Sequence, residues 1–172
     1  MEKLKQVISY ILSESPTGRS RLDLSKLLYY GDAVYFQHHA QIITGETYIH
    51  TEDSPQPSQF LKAVSELVQK NKIEVKVHVE AEKIKGFRLF QKETEKIDIS
   101  KEEKRILNKV INAFPNSVVD ESKQYPNLYE NYVITPMFAE ILITTQTVNT
   151  KIHILRKKSV LTLSGKIFRV LF

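Results

Sequence analysis

The densest group of side chains that could perform chemistry combines histidines and carboxylates between positions 38 and 53. Imidazole and carboxylate groups are common ligands of zinc and common general acids and bases. The group consists of His38, His39, Glu46, His50, Glu52 and Asp53. Adjacent histidines on a helix point about 100° apart and rarely bind one ion, and the chain has no His-x-x-x-His pair. We therefore interpret these histidines as structural or solvent-exposed, and we predict neither a metal site nor a cofactor.

The other signatures of catalysis are missing from the sequence. The chain contains no cysteine, which excludes disulfides, thiolate nucleophiles and cysteine-based metal sites. Its five glycines are scattered, so they form neither a P-loop nor a dinucleotide-binding fingerprint. No Gly-x-Ser-x-Gly segment singles out a serine nucleophile. We predict that the protein is not an enzyme, and an enzyme using His38, His39, His50 and Asp53 is the least favoured hypothesis.

The positive charge of the chain is concentrated near its C-terminal end. The net charge is +5, and positions 151–172 contain six lysines and arginines but no acidic residue. Within this segment, Arg156, Lys157 and Lys158 lie between two apolar runs. Such a cluster can contact an acidic protein or a nucleic acid, or it can protect a strand edge from further pairing. We predict these three residues as candidate partner contacts.

Apolar residues at helical spacing predict three helices with clear beginnings. The first covers positions 4–12. The second begins near Asp23, whose carboxylate suits a helix N-terminus, and ends around His38 and His39. Another begins with the capping box that Ser100 and Glu103 form, and it ends at position 114.

A glycine turn and a proline-containing loop lead into a further predicted helix, over positions 58–70. Gly45 follows Thr44 and supplies the positive φ angle that a tight turn can require. Pro55 and Pro57 are expected to open the helix, because a proline in the first turn loses no hydrogen bond. Asn71 suits its C-terminal end.

A hairpin, or wing, is predicted over positions 72–90. Valines alternate with polar residues over 72–79, which favours a half-buried strand with one solvated face. Gly86 precedes the apolar return strand, and the charged segment 80–85 between the strands is expected to be exposed.

The pattern weakens beyond Phe114. Breaks are expected at Pro115 and around Pro126, and Pro136 is expected to begin a short helix over 137–143. From Thr144 onward the composition is typical of strands, with a hairpin signal at positions 164–165. The fold class is therefore α+β: a mainly helical domain with a small hairpin over 1–115, followed by a β-containing extension over 116–172.

No targeting or membrane-spanning segment is evident. The first six residues carry charges where a signal peptide needs an apolar stretch. No apolar run approaches the roughly 18 residues of a membrane span. The expected location is the cytoplasm.

Three motifs in order give the chain a resemblance to the SocA-like antitoxin family, whose shared module is the Panacea domain. The family has a Leu-x-Lys-Leu-Leu-Tyr helix, a Thr-Gly-x-x-Tyr turn and a Gly-Pro-x-Pro loop six residues later. The matching residues here are Leu24, Lys26, Leu27, Leu28, Tyr29, Thr44, Gly45, Tyr48, Pro55 and Pro57. Ser54 replaces the loop glycine, and the chain lacks the family's later tryptophan. The resemblance covers about positions 1–115.

The resemblance implies a non-catalytic module that neutralises a co-encoded toxin by direct contact, and one lineage acts as an adaptor that presents its toxin to a AAA+ protease. It gives the helix and turn residues a structural role. Aromatic and basic side chains are typical interface anchors. The predicted partner contacts on the loop are Tyr48, His50, Pro55, Pro57 and Phe60, and the alternative for each is packing against the protein's own core. The alternative is a nucleic-acid-binding regulator that uses the wing or the basic tail.

Overall fold

The structure, a computed structural model, describes residues 1–92, 97–114 and 124–144. Both helices and strands occur within these ranges, and this mixture confirms the predicted α+β class. In chain order the elements are α1 (Glu2–Ser13), α2 (Arg21–His39), β1 (Tyr48–His50), β2 (Pro55–Pro57), α3 (Phe60–Gln69), β3 (Ile73–Glu80), β4 (Lys83–Gln91), α4 (Lys101–Ala113), α5 (Pro126–Ile134) and β5 (Glu140–Ile141). The strands predicted beyond Thr144, and Arg156, Lys157 and Lys158, lie outside the described residues.

Helix α2 lies at the centre of the core. Ser20 and Asp23 form a capping box at its start: the Asp23 backbone N–H donates to Ser20 Oγ at 3.0 Å, and the Ser20 N–H donates to the Asp23 carboxylate at 3.3 Å. Eleven of its 19 residues are buried, because α1, α4 and β2 all pack against it. Gly31 allows α4 to approach closely, since a Cβ atom there would lie 2.9 Å from Leu107 Cδ2.

The helices predicted from apolar spacing are confirmed with small shifts at their ends. α1 packs against α2 and α3 through its buried apolar face. α3 is followed by Asn71 at φ 59°, the left-handed conformation that asparagine tolerates at a helix end. α4 has the predicted capping box between Ser100 and Glu103. None of the helices in the described residues is long and apolar enough to cross a membrane.

The proline loop was predicted wrongly as the first turn of α3, because Pro55 and Pro57 lie in strand β2. This strand pairs antiparallel with β1, with Tyr48 opposite Pro57 and His50 opposite Pro55. The hydrogen bonds next to them join Ser58 N–H to the Thr47 carbonyl at 2.9 Å and Thr51 N–H to the Ser54 carbonyl at 3.2 Å. The ring nitrogens of both prolines therefore face away from β1, where no N–H is needed.

Strands β3 and β4 form the predicted hairpin as a separate two-stranded sheet. The prediction of a half-buried strand fails along most of its length. Ile73 and Leu89 are buried at the base of the hairpin, but the valines farther along β3 are about half exposed. The hairpin extends away from the helical body, so little covers its apolar face.

The segment after Phe114 differs most from the sequence prediction. Residues 126–134 form α5 where a break was expected, with Pro126 in the first turn of the helix. The short helix predicted over 137–143 is wrong: Phe138 has φ 64°, which is incompatible with a right-handed helix, and β5 follows it. Leu128, Tyr132 and Ile141 belong to the same buried core as α2. The domain boundary at position 115 stays a prediction.

Residues that tolerate positive φ should stabilise the turn of the hairpin. Ala81 and Glu82 have φ angles of 47° and 63°, so the two-residue turn is of the type that favours Asn-Gly. The double substitution Ala81→Asn with Glu82→Gly should raise the free energy of unfolding by about 0.5–1 kcal/mol. Urea unfolding measures this change, with Glu82→Gln as a control that removes the charge only. An unchanged or lower stability of the Asn-Gly variant would contradict the assignment of strain to this turn.

Candidate partner-binding surface

A buried carboxylate on α2 holds the glycine turn in place. Asp32 is 1% exposed and accepts hydrogen bonds from the Thr44 backbone N–H at 3.0 Å, from the Thr44 hydroxyl, and from the Tyr48 hydroxyl at 2.7 Å. Thr44 and Tyr48 are the first and last residues of the Thr-Gly-x-x-Tyr segment. The two polar residues of this motif therefore attach the turn to the central helix, and Gly45 at φ 72° provides its bend.

Burial and hydrogen bonding act in opposite directions on the Asp32 carboxyl. Burial raises the pKa of Asp32 to about 6, while the donors on Thr44, Tyr48 and Ile43 favour the ionised form and lower it. Burial, followed by the adjacent Asp32 charge, raises the pKa of Tyr48 well above its ordinary value. The Tyr48 hydroxyl therefore stays protonated and donates to Asp32. The Thr44 N–H, the Thr44 hydroxyl and the Tyr48 hydroxyl all donate to the carboxylate. Asp32 is therefore a hydrogen-bond acceptor with a structural role.

A second acid of the turn joins it to the start of α3. Glu46 is 6% exposed, and its carboxylate accepts hydrogen bonds from the Ser58 hydroxyl at 3.0 Å and from the Gln59 backbone N–H at 3.3 Å. The amino group of Met1 lies 3.4 Å from the same carboxylate. α3 has no side-chain cap of its own, so Glu46 supplies the negative charge that a helix N-terminus favours.

Strand β5 completes a three-stranded sheet with β1 and β2, here called the motif sheet. It attaches residues 126–141 to the turn. The sheet order is β2-β1-β5, and Tyr48 lies opposite Ile141. His50 Nδ1 contacts the Thr135 carbonyl, and its ring lies 4.2 Å from that of Tyr132. The Tyr132 hydroxyl donates to the Thr51 carbonyl at 2.9 Å. His50 is therefore engaged in packing and does not converge with the exposed Asp53 on a ligand.

The structure brings the predicted contact residues of the loop together, but it places most of them inside the protein. Tyr48 and Phe60 are each 1% exposed, Pro55 and Pro57 are buried, and His50 is half-buried. These side chains pack the motif against the core, and contact with a partner through them stays a prediction. Among the motif residues given a structural role, Leu24, Leu27, Leu28, Tyr29 and Thr44 are buried, Lys26 is half-buried and Gly45 is exposed.

Sequence reasoning missed the two acids that organise this region. Asp32 stands in the apolar stretch of α2 between Tyr30 and Val34, and a lone carboxylate in such a stretch signals a buried acceptor. Glu46 lies inside the turn motif, but nothing in the sequence shows that it faces Ser58. Both roles depend on contacts between residues at least 12 positions apart.

The largest apolar side chains that the hairpin exposes form a continuous row, here called the hairpin strip. Residues directly opposite each other on paired strands have side chains on the same face. In the observed register Val75 is opposite Leu89, Val77 opposite Phe87, and Val79 opposite Ile84. The strip consists of Val75, Val77, Val79, Ile84 and Phe87, which are 50%, 52%, 55%, 71% and 63% exposed. The strip continues outward from Ile73 and Leu89, the two residues that are buried at the base of the hairpin.

The other face of the hairpin carries mainly polar side chains, and two of its cations, Lys76 and Arg88, have partners. Lys76 Nζ lies 2.6 Å from Glu74 Oε1 and 5.1 Å from the centre of the Phe90 ring. Arg88 donates to the Thr17 carbonyl at 3.1 Å. Gly18 closes the base of the hairpin, since a Cβ atom there would lie 2.7 Å from the Phe90 ring.

A second group of exposed apolar residues lies around α5 and β5. It comprises Val133, Ile134, Met137, Phe138 and Leu142. These side chains border the end of the described residues at Thr144. The hairpin strip, by contrast, is a single row whose order is fixed by the pairing of β3 with β4, so we take it as the candidate contact surface.

Within the described ranges, no three His, Asp or Glu side chains are grouped so that they could hold a metal ion. The cleft lined by Glu2, Lys5, Gln6, Ser9, Leu67, Lys70 and Lys72 has a volume of about 350 Å³. Lys5 pairs there with Glu2 at 2.7 Å and with Glu66 at 3.1 Å, so its charge is already neutralised.

Comparison with known proteins identifies one family. A family model described as "Antitoxin SocA-like, Panacea domain" matches residues 24–125, more than half of the 172 residues. The matched range contains the motif turn, the hairpin and α4, and it ends just before α5. The resemblance predicted from the three motifs is therefore confirmed. Searches of curated proteins and of solved structures gave no match.

The Asp32 network should make stability depend on pH in a defined direction. The folded-state pKa of about 6 lies above the ordinary value of 3.8, so the folded protein holds a proton that the unfolded chain has released. Protonated Asp32 therefore contributes to the free energy of unfolding in full below pH 4. This contribution, of order 3 kcal/mol, is lost as the pH rises toward 6.

The matched comparison is Asp32→Asn, which removes this titration and leaves the histidines in place. Urea unfolding of both proteins between pH 4 and pH 7 gives the difference in unfolding free energy. We expect the wild-type protein to lose stability relative to Asp32→Asn as the pH rises. A difference that stays constant across this range would show that Asp32 has an ordinary pKa.

Proposed function

The chain belongs to the SocA-like antitoxin family with the Panacea domain, and we propose that it neutralises a toxin protein by direct contact through the hairpin strip. The family supports an antitoxin-type role. The contact surface is our own assignment, and its main support is the row of five exposed apolar side chains on a protruding hairpin. A cytoplasmic location is part of the same proposal.

Exposed apolar rows of this kind mark contact surfaces, because water solvates them poorly. Covering five side chains that are about half exposed would contribute on the order of 5 kcal/mol. Association itself costs roughly 4–15 kcal/mol in lost freedom of motion. The strip therefore supplies the centre of a contact, and a stable complex needs further contacts at its rim.

The composition of the hairpin favours a protein partner over a nucleic acid. A DNA-binding wing needs free cations that face the phosphates. Here the hairpin strip carries valine, isoleucine and phenylalanine, while Lys76 and Arg88 on the opposite face contact Glu74 and the Thr17 carbonyl. Lys83 and Lys85 near the turn are the remaining exposed cations of β4. Binding of nucleic acid through Arg156, Lys157 and Lys158 is the alternative.

The proposed function requires no chemistry by this chain. The protein would act by occupying the surface of the toxin, so its effect depends on affinity and on stoichiometry. Presentation of the toxin to a protease, as the adaptor lineage of the family does, is a further form of the same function that would require a second contact surface.

The double substitution Val77→Lys with Ile84→Lys tests the strip, because these two residues are not directly opposite each other. Both side chains are more than half exposed, so the fold should tolerate lysine. Binding to the protein encoded by the adjacent gene should weaken at least about tenfold, because two charges would be buried at the contact. The measurements are calorimetry with the purified partner and growth of cells that express both proteins.

The matched control is Leu61→Lys, which changes an apolar side chain of α3 that is 53% exposed. It should bind and protect cells as the wild type does. A double variant that retains full binding and protection while folding normally would contradict the assignment. If the wild-type protein itself bound DNA or RNA with a steep salt dependence, the nucleic-acid alternative would gain support.

A further inference from the structure

The hairpin has one engaged edge and one open edge. β4 meets the loop before α2 through a pair of hydrogen bonds, from Arg19 N–H to the Leu89 carbonyl at 3.0 Å and from Leu89 N–H to the Arg19 carbonyl at 2.7 Å. β3 has no neighbour on its other side within the described residues, because the sheet has the order β3-β4 only. The outer edge of β3 is therefore available for pairing.

The Arg19–Leu89 bridge identifies which backbone groups point outward from β3. Both polar backbone groups of Leu89 face Arg19, so they do not face β3. Val75, directly opposite Leu89, must then direct its own N–H and C=O away from β4. Alternation along the strand gives the same direction to Val77, and no backbone hydrogen bond to either residue occurs at this edge in the described part of the chain.

Among the described residues this edge has no proline and no covering element, two of the devices that usually prevent strand pairing. Its charged side chains, Glu74 and Lys76, are a further such device against a strand of unmatched charge. From Ile73 to Val77 the pairing with β4 is regular, and the irregularity of the ladder begins only between His78 and Val79. The outward-pointing backbone groups belong to valines whose side chains are also half exposed. An added strand would thus find both hydrogen-bonding partners and apolar contacts.

The charges of β3 are complementary to a second copy of the same strand. If two copies pair antiparallel about a twofold axis at Val75, Glu74 of each copy lies opposite Lys76 of the other. A register shifted to centre on Lys76 places two lysines opposite each other, and a register centred on Val77 places Lys76 opposite His78. Opposite charges directly across strands stabilise pairing, whereas like charges oppose it. Of these three registers, only the first makes two attractive pairs.

We propose that two copies of this chain associate through the β3 edges in this register to form a four-stranded sheet. The Glu74–Lys76 pair within one copy does not prevent this, because both groups are more than one third exposed and such a pair is weak. A twofold axis perpendicular to the sheet leaves the two hairpin strips on the same face. The pairing uses the backbone edge and does not depend on the proposed toxin contact.

Charge reversal tests the register. Glu74→Lys and Lys76→Glu should each weaken self-association at least about tenfold, because each places like charges across the axis. An equimolar mixture of the two variants should associate within about threefold of the wild type, since every cross-strand pair is then attractive. Loss of the internal ion pair cannot explain this rescue, because both variants lack that pair.

Sedimentation equilibrium and hydrogen exchange provide the measurements. The wild type should approach twice the chain mass of 19.9 kDa as concentration rises, with protection of the Val75 and Val77 amides. Val75→Pro should remain monomeric with an intact hairpin, because the Val75 N–H points only toward the outer edge.

A wild type that stays monomeric up to roughly millimolar concentration, the level at which binding free energy is only about 4 kcal/mol, would overturn the proposal. Absence of rescue in the mixture would overturn the register, and protection of these amides only in complex with the adjacent-gene protein would assign the edge to that partner instead.

Discussion

The hydrogen bonds that converge on Asp32 are the constraint on which the architecture depends. A carboxylate buried in the middle of the central helix is costly unless donors surround it. Thr44 and Tyr48 provide those donors, and in doing so they fix the turn that begins the three-stranded sheet. Glu46 in the same turn then sets the start of α3. One buried acid thus determines how the helices, the motif sheet and the segment after position 125 come together.

This constraint separates the residues that build the body from those that are free to bind. The motif residues are occupied by internal packing and hydrogen bonds, so substitutions there would disturb the fold. In the described residues the hairpin strip is more than half exposed or close to it, whereas Ile73 and Leu89 at the base of the hairpin are buried. Its outer residues can change without altering the body. A fixed scaffold with a separate contact element would let the contact residues be changed while the body stays intact.

Local patterns predicted the elements whose formation depends on local forces. Helical spacing and the Ser100–Glu103 capping box placed α4, and strand alternation placed the hairpin. The failures have a common cause in contacts that are distant in sequence. Pro55 and Pro57 lie in a strand only because β1 pairs with them, and Phe138 leaves the helical conformation where β5 joins β1. Alternation in β3 also gave no sign that its apolar face would remain uncovered, because burial depends on what lies opposite.

The most direct test of the central claim is a hydrogen-exchange comparison of this protein alone and in complex with the protein encoded beside it. If the hairpin is the contact element, protection on binding should be greatest between Val75 and Phe87, while amides of the Asp32-centred turn, slow to exchange in the free protein, should change little. Protection confined to the motif turn or to α5, with the hairpin exchanging as freely as before, would contradict the claim that the hairpin strip binds the toxin.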